Sequence, residues 1–151
     1  MFGLFRKKQF FSEEENHLIV KAIRHAEQRT SGEVRVYVES RCRFMNALDR
    51  AAEIFHGLKM GKTDYRNATL IYVAIKDRQV AVFGDEGIHQ KVGTEYWDIV
   101  VKEMLDSFNS DNYAKAIADA VIQIGEALQS HFPYDKEADK NELPDEIVFG
   151  R

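Results

Sequence analysis

Residues 68–75, with the sequence ATLIYVAI, constrain the fold more than any other stretch, because only Thr69 interrupts their apolar character. A strand with one face in water alternates apolar and polar residues. A nearly continuous apolar run is instead typical of a strand that is buried on both faces. The run therefore predicts a layered fold, with packed elements on each side of this strand.

The segments before this strand can supply those layers. Residues 33–39 alternate between apolar and polar side chains, which indicates a second strand. Amphipathic helical patterns occupy residues 12–30 and 48–58, on either side of that second strand. Because a helix joins the two strands, we expect a right-handed crossover and a parallel pair.

The segments after the apolar run extend the sheet and cover it. KDRQ at residues 76–79 suits a tight hairpin, so VAVFG at residues 80–84 is predicted to be an antiparallel third strand. Gly84–Gly87 reads as a turn, and residues 94–108 and 114–128 show helical spacing again. The expected fold is an α/β sandwich, with helices around a small mixed sheet of two parallel strands and one antiparallel partner.

This connectivity brings acidic residues from distant segments to one edge of the sheet. Glu33, Asp64 and Asn67 lie at or just before the starts of the two parallel strands. The third strand runs backwards, so Asp85 and Glu86 follow its end at the same edge. Neighbouring carboxylates raise one another's pKa unless a cation compensates their charge.

Carboxylate and amide oxygens are the ligands that Ca²⁺ and Mg²⁺ prefer, so these five residues predict a divalent-cation site. Arg66 and His89 lie beside them in the sequence, where they are expected to offset the charge or to contact an anion. The single cysteine and the scattered histidines argue against zinc. A solvated acidic rim without a metal is the alternative.

Composition excludes some classes of function. The net charge of −4 argues against a general nucleic-acid binder. No apolar run approaches the length that crosses a bilayer, so no integral membrane segment is expected. Cys42 is the only cysteine, and without an export signal a cytoplasmic location is the expectation.

The chain divides into an N-terminal segment (1–11), one α/β domain (12–132) and a polar C-terminal tail (133–151). In the tail, residues 147–149 are apolar and are expected to anchor it to the domain.

Three stretches, TSGEVRVYVES, RNATLIYVAIKDRQVAVFGDEGI and YAKAIADAVIQIGEAL, resemble the TPM-domain family over about residues 11–132. Its founding members are a thylakoid lumen phosphatase-like protein, a photosystem repair protein and a modulator of nematode acetylcholine receptors. The resemblance implies a Rossmann-like three-layer α/β/α domain with a divalent-cation site, typically for calcium, in loops at one end of the sheet. It also implies acid phosphatase activity, which is attributed to a plant member.

Glu33, Asn67, Gly84 and Gly87 match the family's pattern residue by residue. The chain departs from it after the glycine turn, where many members carry a further acidic residue and this chain has HQKVG. Asp85 and Glu86 are the expected substitutes.

Three functions follow as hypotheses. The first is a domain that binds Ca²⁺ or Mg²⁺ and serves a regulatory role, or presents a surface to a protein partner. The second is a metal-assisted acid phosphatase in which Arg66 neutralises the phosphoryl group. The third is a protein-interaction domain without a functional metal, and the residues alone leave open whether the domain is catalytic.

Overall fold

A computed structural model describes residues 10–108, 112–134 and 146–150 of the chain. In these ranges, the helices and strands follow one another in the order that the sequence patterns predict, with two additional elements. The strands are β1 (Glu33–Glu39), β2 (Ala68–Ala74), β3 (Gln79–Gly84) and β4 (Val148–Phe149), and the helices are α1 (Glu13–Glu27), α2 (Ala47–Gly57), α3 (Glu86–Val92), α4 (Thr94–Phe108) and α5 (Tyr113–His131).

The sheet has the strand order β3-β2-β1-β4. β1 and β2 are parallel, with Glu33 opposite Ala68, and β3 runs antiparallel to β2, with Gly84 opposite Thr69. The predicted parallel pair and hairpin are therefore confirmed. The first addition is β4, which pairs parallel to β1 through Val148 and so fixes the apolar end of the tail to the sheet.

β2 is the centre of the fold, and all seven of its residues are buried. Ile71 and Val73 point to one face, where they join the core formed with α1, α4 and α5. Leu70 and Tyr72 point to the other face and pack with Phe55 of α2. The protein is therefore a three-layer α/β/α sandwich, as the double-sided apolar run predicts.

The second addition is α3, which occupies the stretch that the sequence analysis assigned to a turn. Asp85 is the N-cap of this helix and Glu86 lies in its first turn. Negative charge at a helix N-terminus is favourable, which explains why two carboxylates follow a strand directly. The prediction was wrong because α3 has only seven residues, and its two apolar side chains, Ile88 and Val92, are too few to give a periodic signal.

No helix within the described ranges is both long enough and apolar enough to cross a membrane.

α1 and α5 pack closely because Gly125 lies at their contact. A Cβ at position 125 would lie 2.6 Å from the Cβ of Ala26. In contrast, a Cβ at Gly57, the last residue of α2, would meet no atom within 4 Å.

The same substitution should therefore have opposite effects at the two glycines. Gly125→Ala should lower the free energy of unfolding by about 1–3 kcal/mol, because the helices must separate. Gly57→Ala should raise it by up to about 1 kcal/mol, because alanine favours the helical backbone. Urea denaturation followed by circular dichroism measures both, and equal losses of stability would contradict the packing described.

Candidate functional site at the amino edge of the sheet

The starts of β1 and β2 and the end of β3 form one border of the sheet, called here the amino edge. The backbone N–H of Glu33 donates to the carbonyl oxygen of Asn67, and that of Asp85 donates to Ala68 at 2.9 Å. The register therefore puts Glu33 and Asp85 on either side of Ala68, with their side chains on the α2 face of the sheet. Their exposed fractions are only 2% and 4%. The two carboxylates thus lie at one edge, as the connectivity predicts.

The charge of Asp85 is balanced by Arg66. Arg66 Nε donates to Asp85 Oδ2 at 2.7 Å, and Arg66 Nη2 donates to Asp85 Oδ1 at 2.8 Å. Asp85 Oδ1 also accepts the backbone N–H of Glu86, at the start of α3. Hydrogen bonding and charge from Asp85 raise the pKa of the Arg66 guanidinium. Arg66, which the sequence analysis expected to offset charge or to contact an anion, therefore contacts the carboxylate of Asp85 in its own chain.

The backbone of Arg66 has a left-handed conformation, with a φ of 52°, which is uncommon for a residue with a side chain. Its carbonyl oxygen accepts the N–H of Gly87 at 2.8 Å. A Cβ at Gly87 would lie 2.1 Å from the carbonyl oxygen of Tyr65. Glycine at position 87 is therefore needed so that α3 can approach this loop.

Two other oxygen atoms of the loop at residues 58–67 are buried. Asn67 is fully buried, and its Nδ2 donates to Ser31 Oγ at 3.3 Å. Its Oδ1 atom, like Oγ1 of Thr63, receives no hydrogen bond from any residue that the structure describes. Most buried polar atoms in proteins have a partner, so each of these two oxygens has unused capacity to bind a donor or a cation.

The remaining predicted ligands face solvent. Asp64 is exposed, and the side chain of Glu86 is 66% exposed, with its Oε2 at 3.9 Å from Arg66 Nη2. Within the described part of the chain, no group of three or more His, Cys, Asp or Glu side chains is arranged to hold a metal ion. Two buried carboxylates, Glu33 and Asp85, and the buried amide of Asn67 therefore belong to segments that meet at this edge, whereas Asp64 and Glu86 are exposed there.

His89, the other side chain expected to tune the charge, is bound to Trp97. The indole Nε1–H of Trp97 donates to His89 Nδ1 at 3.0 Å. Because indole can only donate, His89 Nδ1 is the acceptor in this contact. A Cβ at Gly84 would lie 2.3 Å from Trp97 Cζ2, so the indole covers the end of β3. Nothing in the spacing of residues 84, 89 and 97 in the sequence indicates these contacts.

Comparison with known proteins agrees with this fold. The sequence model of the TPM domain matches residues 4–127. The chain belongs to the TPM-domain family. No curated protein matches it.

Solved structures include other proteins with this fold. The NMR structure of BA42 from the psychrophilic bacterium Bizionia argentinensis is 38% identical, with a TM-score of 0.86 over 96% of this chain and 99% of BA42. The N-terminal domain of a P. gingivalis protein is 15% identical, with a TM-score of 0.67 over 83% of this chain and 82% of that one. The N-terminal domain of cg2496 from Corynebacterium glutamicum is 11% identical, with a TM-score of 0.58 over 79% and 74% of the two chains. The last two show a shared fold alone.

This TPM domain also has a groove of about 810 Å³ that begins at the amino edge and follows β3 between α2 and α4, called here the β3 groove. Its lining is mostly apolar. The sequence analysis did not detect it, because it exists only through the way two helices flank the outer strand. Its lining includes Arg66, Asp85, Phe83, Trp97, Leu105 and Leu48.

Trp97 is the only tryptophan, so its fluorescence reports on this region of the TPM domain. In Gly84→Ala the new methyl group would displace the indole, so we expect a red-shifted emission and a loss of about 1–3 kcal/mol of stability. Gly61→Ala is the matched control, since its Cβ would have Asp85 Oδ2 as nearest atom, at 3.8 Å. An unchanged emission spectrum in Gly84→Ala would show that Trp97 does not cover Gly84.

Proposed function

We propose that this TPM domain binds one divalent cation, Ca²⁺ or Mg²⁺, at the amino edge, and that the bound ion regulates the loop at residues 58–67. Glu33, Asp85 and Asn67 are the proposed protein ligands. The observation that carries the proposal is the buried Oδ1 of Asn67, which receives no hydrogen bond from the described residues. Asn67 directly precedes Ala68, the residue that Glu33 and Asp85 flank in the sheet.

The donor set fits a hard cation. Two carboxylates and an amide supply oxygen atoms only, which suits Ca²⁺ and Mg²⁺ and does not suit zinc. Ca²⁺ takes six to eight oxygen ligands, so three side chains leave room for water. The exposed carboxylates of Asp64, in the loop at residues 58–67, and of Glu86, at the start of α3, are further candidate ligands.

In this proposal, the cation competes with Arg66 for Asp85. The side chain of Arg66 is 45% exposed, whereas that of Asp85 is only 5% exposed. Removing the guanidinium alone would leave a buried charge without a partner, but a divalent ion in its place keeps the carboxylate neutralised while Arg66 moves into water. Arg66 would then leave Asp85, and the left-handed turn that it holds would change conformation, which is how the ion would alter the surface presented to a partner.

The acid phosphatase alternative is not favoured by any contact at this edge. Arg66, the residue expected to neutralise a phosphoryl group, already uses Nε and Nη2 on Asp85.

Isothermal titration with CaCl₂ and MgCl₂ tests the proposal. The wild-type domain should bind one ion with a Kd below about 1 mM, and Glu33→Gln and Asp85→Asn should each weaken binding at least about tenfold. Asp119→Asn is the matched control, because it removes a carboxylate that is ion-paired to Lys115 at the surface of α5. Its affinity for the ion should equal that of the wild type.

Arg66→Gln provides the sharper test, because the expected effect has the opposite sign. Removal of the competing guanidinium should tighten cation binding, and thermal unfolding should confirm that the variant is folded. If neither CaCl₂ nor MgCl₂ gives a binding heat with the wild type, or if Arg66→Gln binds the ion more weakly, a cation that replaces Arg66 on Asp85 is excluded.

A further inference from the structure

The β3 groove shares Asp85, Glu86 and Arg66 with the cation proposal at the amino edge, and the rest of the groove offers a second site. It follows β3, with α2 as one wall and α4 as the other. Its volume of about 810 Å³ lies within the range of ligand-binding pockets, and apolar atoms dominate its lining.

The β3 groove is suited to apolar side chains rather than to an added strand. Although β3 is the last strand of the sheet on its side, Val80, Ala81 and Val82 are only 4–7% exposed, so the walls cover its outer edge. Leu48 and Leu105 are 54% and 36% exposed and line the groove from α2 and α4. The directions of the two helices put both leucines at the end of the groove that is remote from Asp85.

The charge on the β3 groove is negative. Four carboxylates and two cationic side chains line it, which leaves a net charge of −2. The carboxylates are those of Asp85, Glu86, Asp98 and Asp106, and the cations are Arg66 and Lys102. Arg66 neutralises Asp85, so the remaining charge lies on exposed carboxylates at the rim. Complementary charge steers association and selects partners, so a basic ligand is favoured and an anionic one is repelled.

The charged residues of α4 at the rim of the groove also have a spacing that a partner helix can match. Asp98 and Asp106 are eight residues apart, so they lie about 12 Å apart along one side of the helix. Lys102 lies midway between them. A partner helix with basic residues seven or eight positions apart, and a neutral or acidic residue between them, complements this row.

We propose that the β3 groove binds a basic amphipathic helix of a protein partner. Its apolar residues, at i, i+3 or i+4 and i+7, enter the groove beside Trp97, Leu48 and Leu105, as in other helix-in-groove complexes. Its Lys or Arg side chains contact the rim carboxylates Asp98 and Asp106.

A synthetic 14-residue peptide of Leu and Lys with one apolar face is the probe, and it contains no tryptophan. Emission of Trp97 follows binding, and calorimetry provides a readout that does not depend on the indole. An otherwise identical peptide with Glu in place of Lys should bind at least about tenfold more weakly. A peptide of the same composition with a scrambled order lacks the apolar face and should also bind more weakly.

Substitutions of two leucines and of two aspartates in the groove locate the site, and two substitutions elsewhere are the controls. Leu48→Gln and Leu105→Gln should each weaken binding of the Leu/Lys peptide about fivefold or more. Leu18→Gln and Ile122→Gln are matched controls, because these side chains are each 43% exposed on other helices, and they should leave binding unchanged. Asp98→Lys combined with Asp106→Lys should weaken binding about tenfold or more and reduce its salt dependence.

Several results would overturn the proposal. One is the absence of binding in both the fluorescence and the calorimetric titration. Others are equal effects of the groove and control substitutions, or equal binding of the Glu peptide. Sodium dodecanoate is the further comparison: if it binds more tightly than the Leu/Lys peptide and displaces it, the groove takes a small anionic amphiphile instead of a helix.

Discussion

The burial of β2 on both faces is the constraint on which the rest of this structure depends. A strand whose seven residues are all buried requires a helical layer on each side of the sheet. With α1, α4 and α5 on one face and α2 on the other, the loops that join strands to helices can reach only the two ends of the sheet. The amino edge is one of these ends, and the groove along β3 is the space that the two layers leave beside the outer strand.

The same constraint creates an electrostatic problem. The register that buries β2 also places Glu33 and Asp85 on either side of Ala68, where water does not screen them well. Arg66 neutralises Asp85 through paired hydrogen bonds. A cation at this edge would therefore act as an alternative to a contact that already exists. Cation binding and the conformation of the loop that carries Arg66 would then be coupled, because both need the same carboxylate.

Much of the fold can be predicted from the sequence, because its main elements carry strong periodic signals. β1 alternates, β2 is continuously apolar, and KDRQ marks the hairpin, so the topology follows from connectivity rules. The same rules place Glu33 and Asp85 at one edge. α3 and β4 are missed because seven and two residues are too few for a pattern.

The details of the site depend on geometry that no local pattern encodes. The contact between Arg66 and Asp85 requires a left-handed turn at Arg66, and the exposure of Asp64 depends on the same loop. The hydrogen bond between Trp97 and His89 joins α4 to α3, a helix that the sequence analysis did not predict. The groove appears only once α2 and α4 are placed on either side of β3.

The two glycines that bracket Asp85 and Glu86 have a consequence for how relatives of this protein should be compared. Each leaves space for another group: the indole ring covers position 84, and the backbone of the preceding loop crosses position 87. A descendant would keep both glycines for this steric reason whether or not it bound an ion. Retention of the glycine pair among homologues therefore carries no information about chemistry.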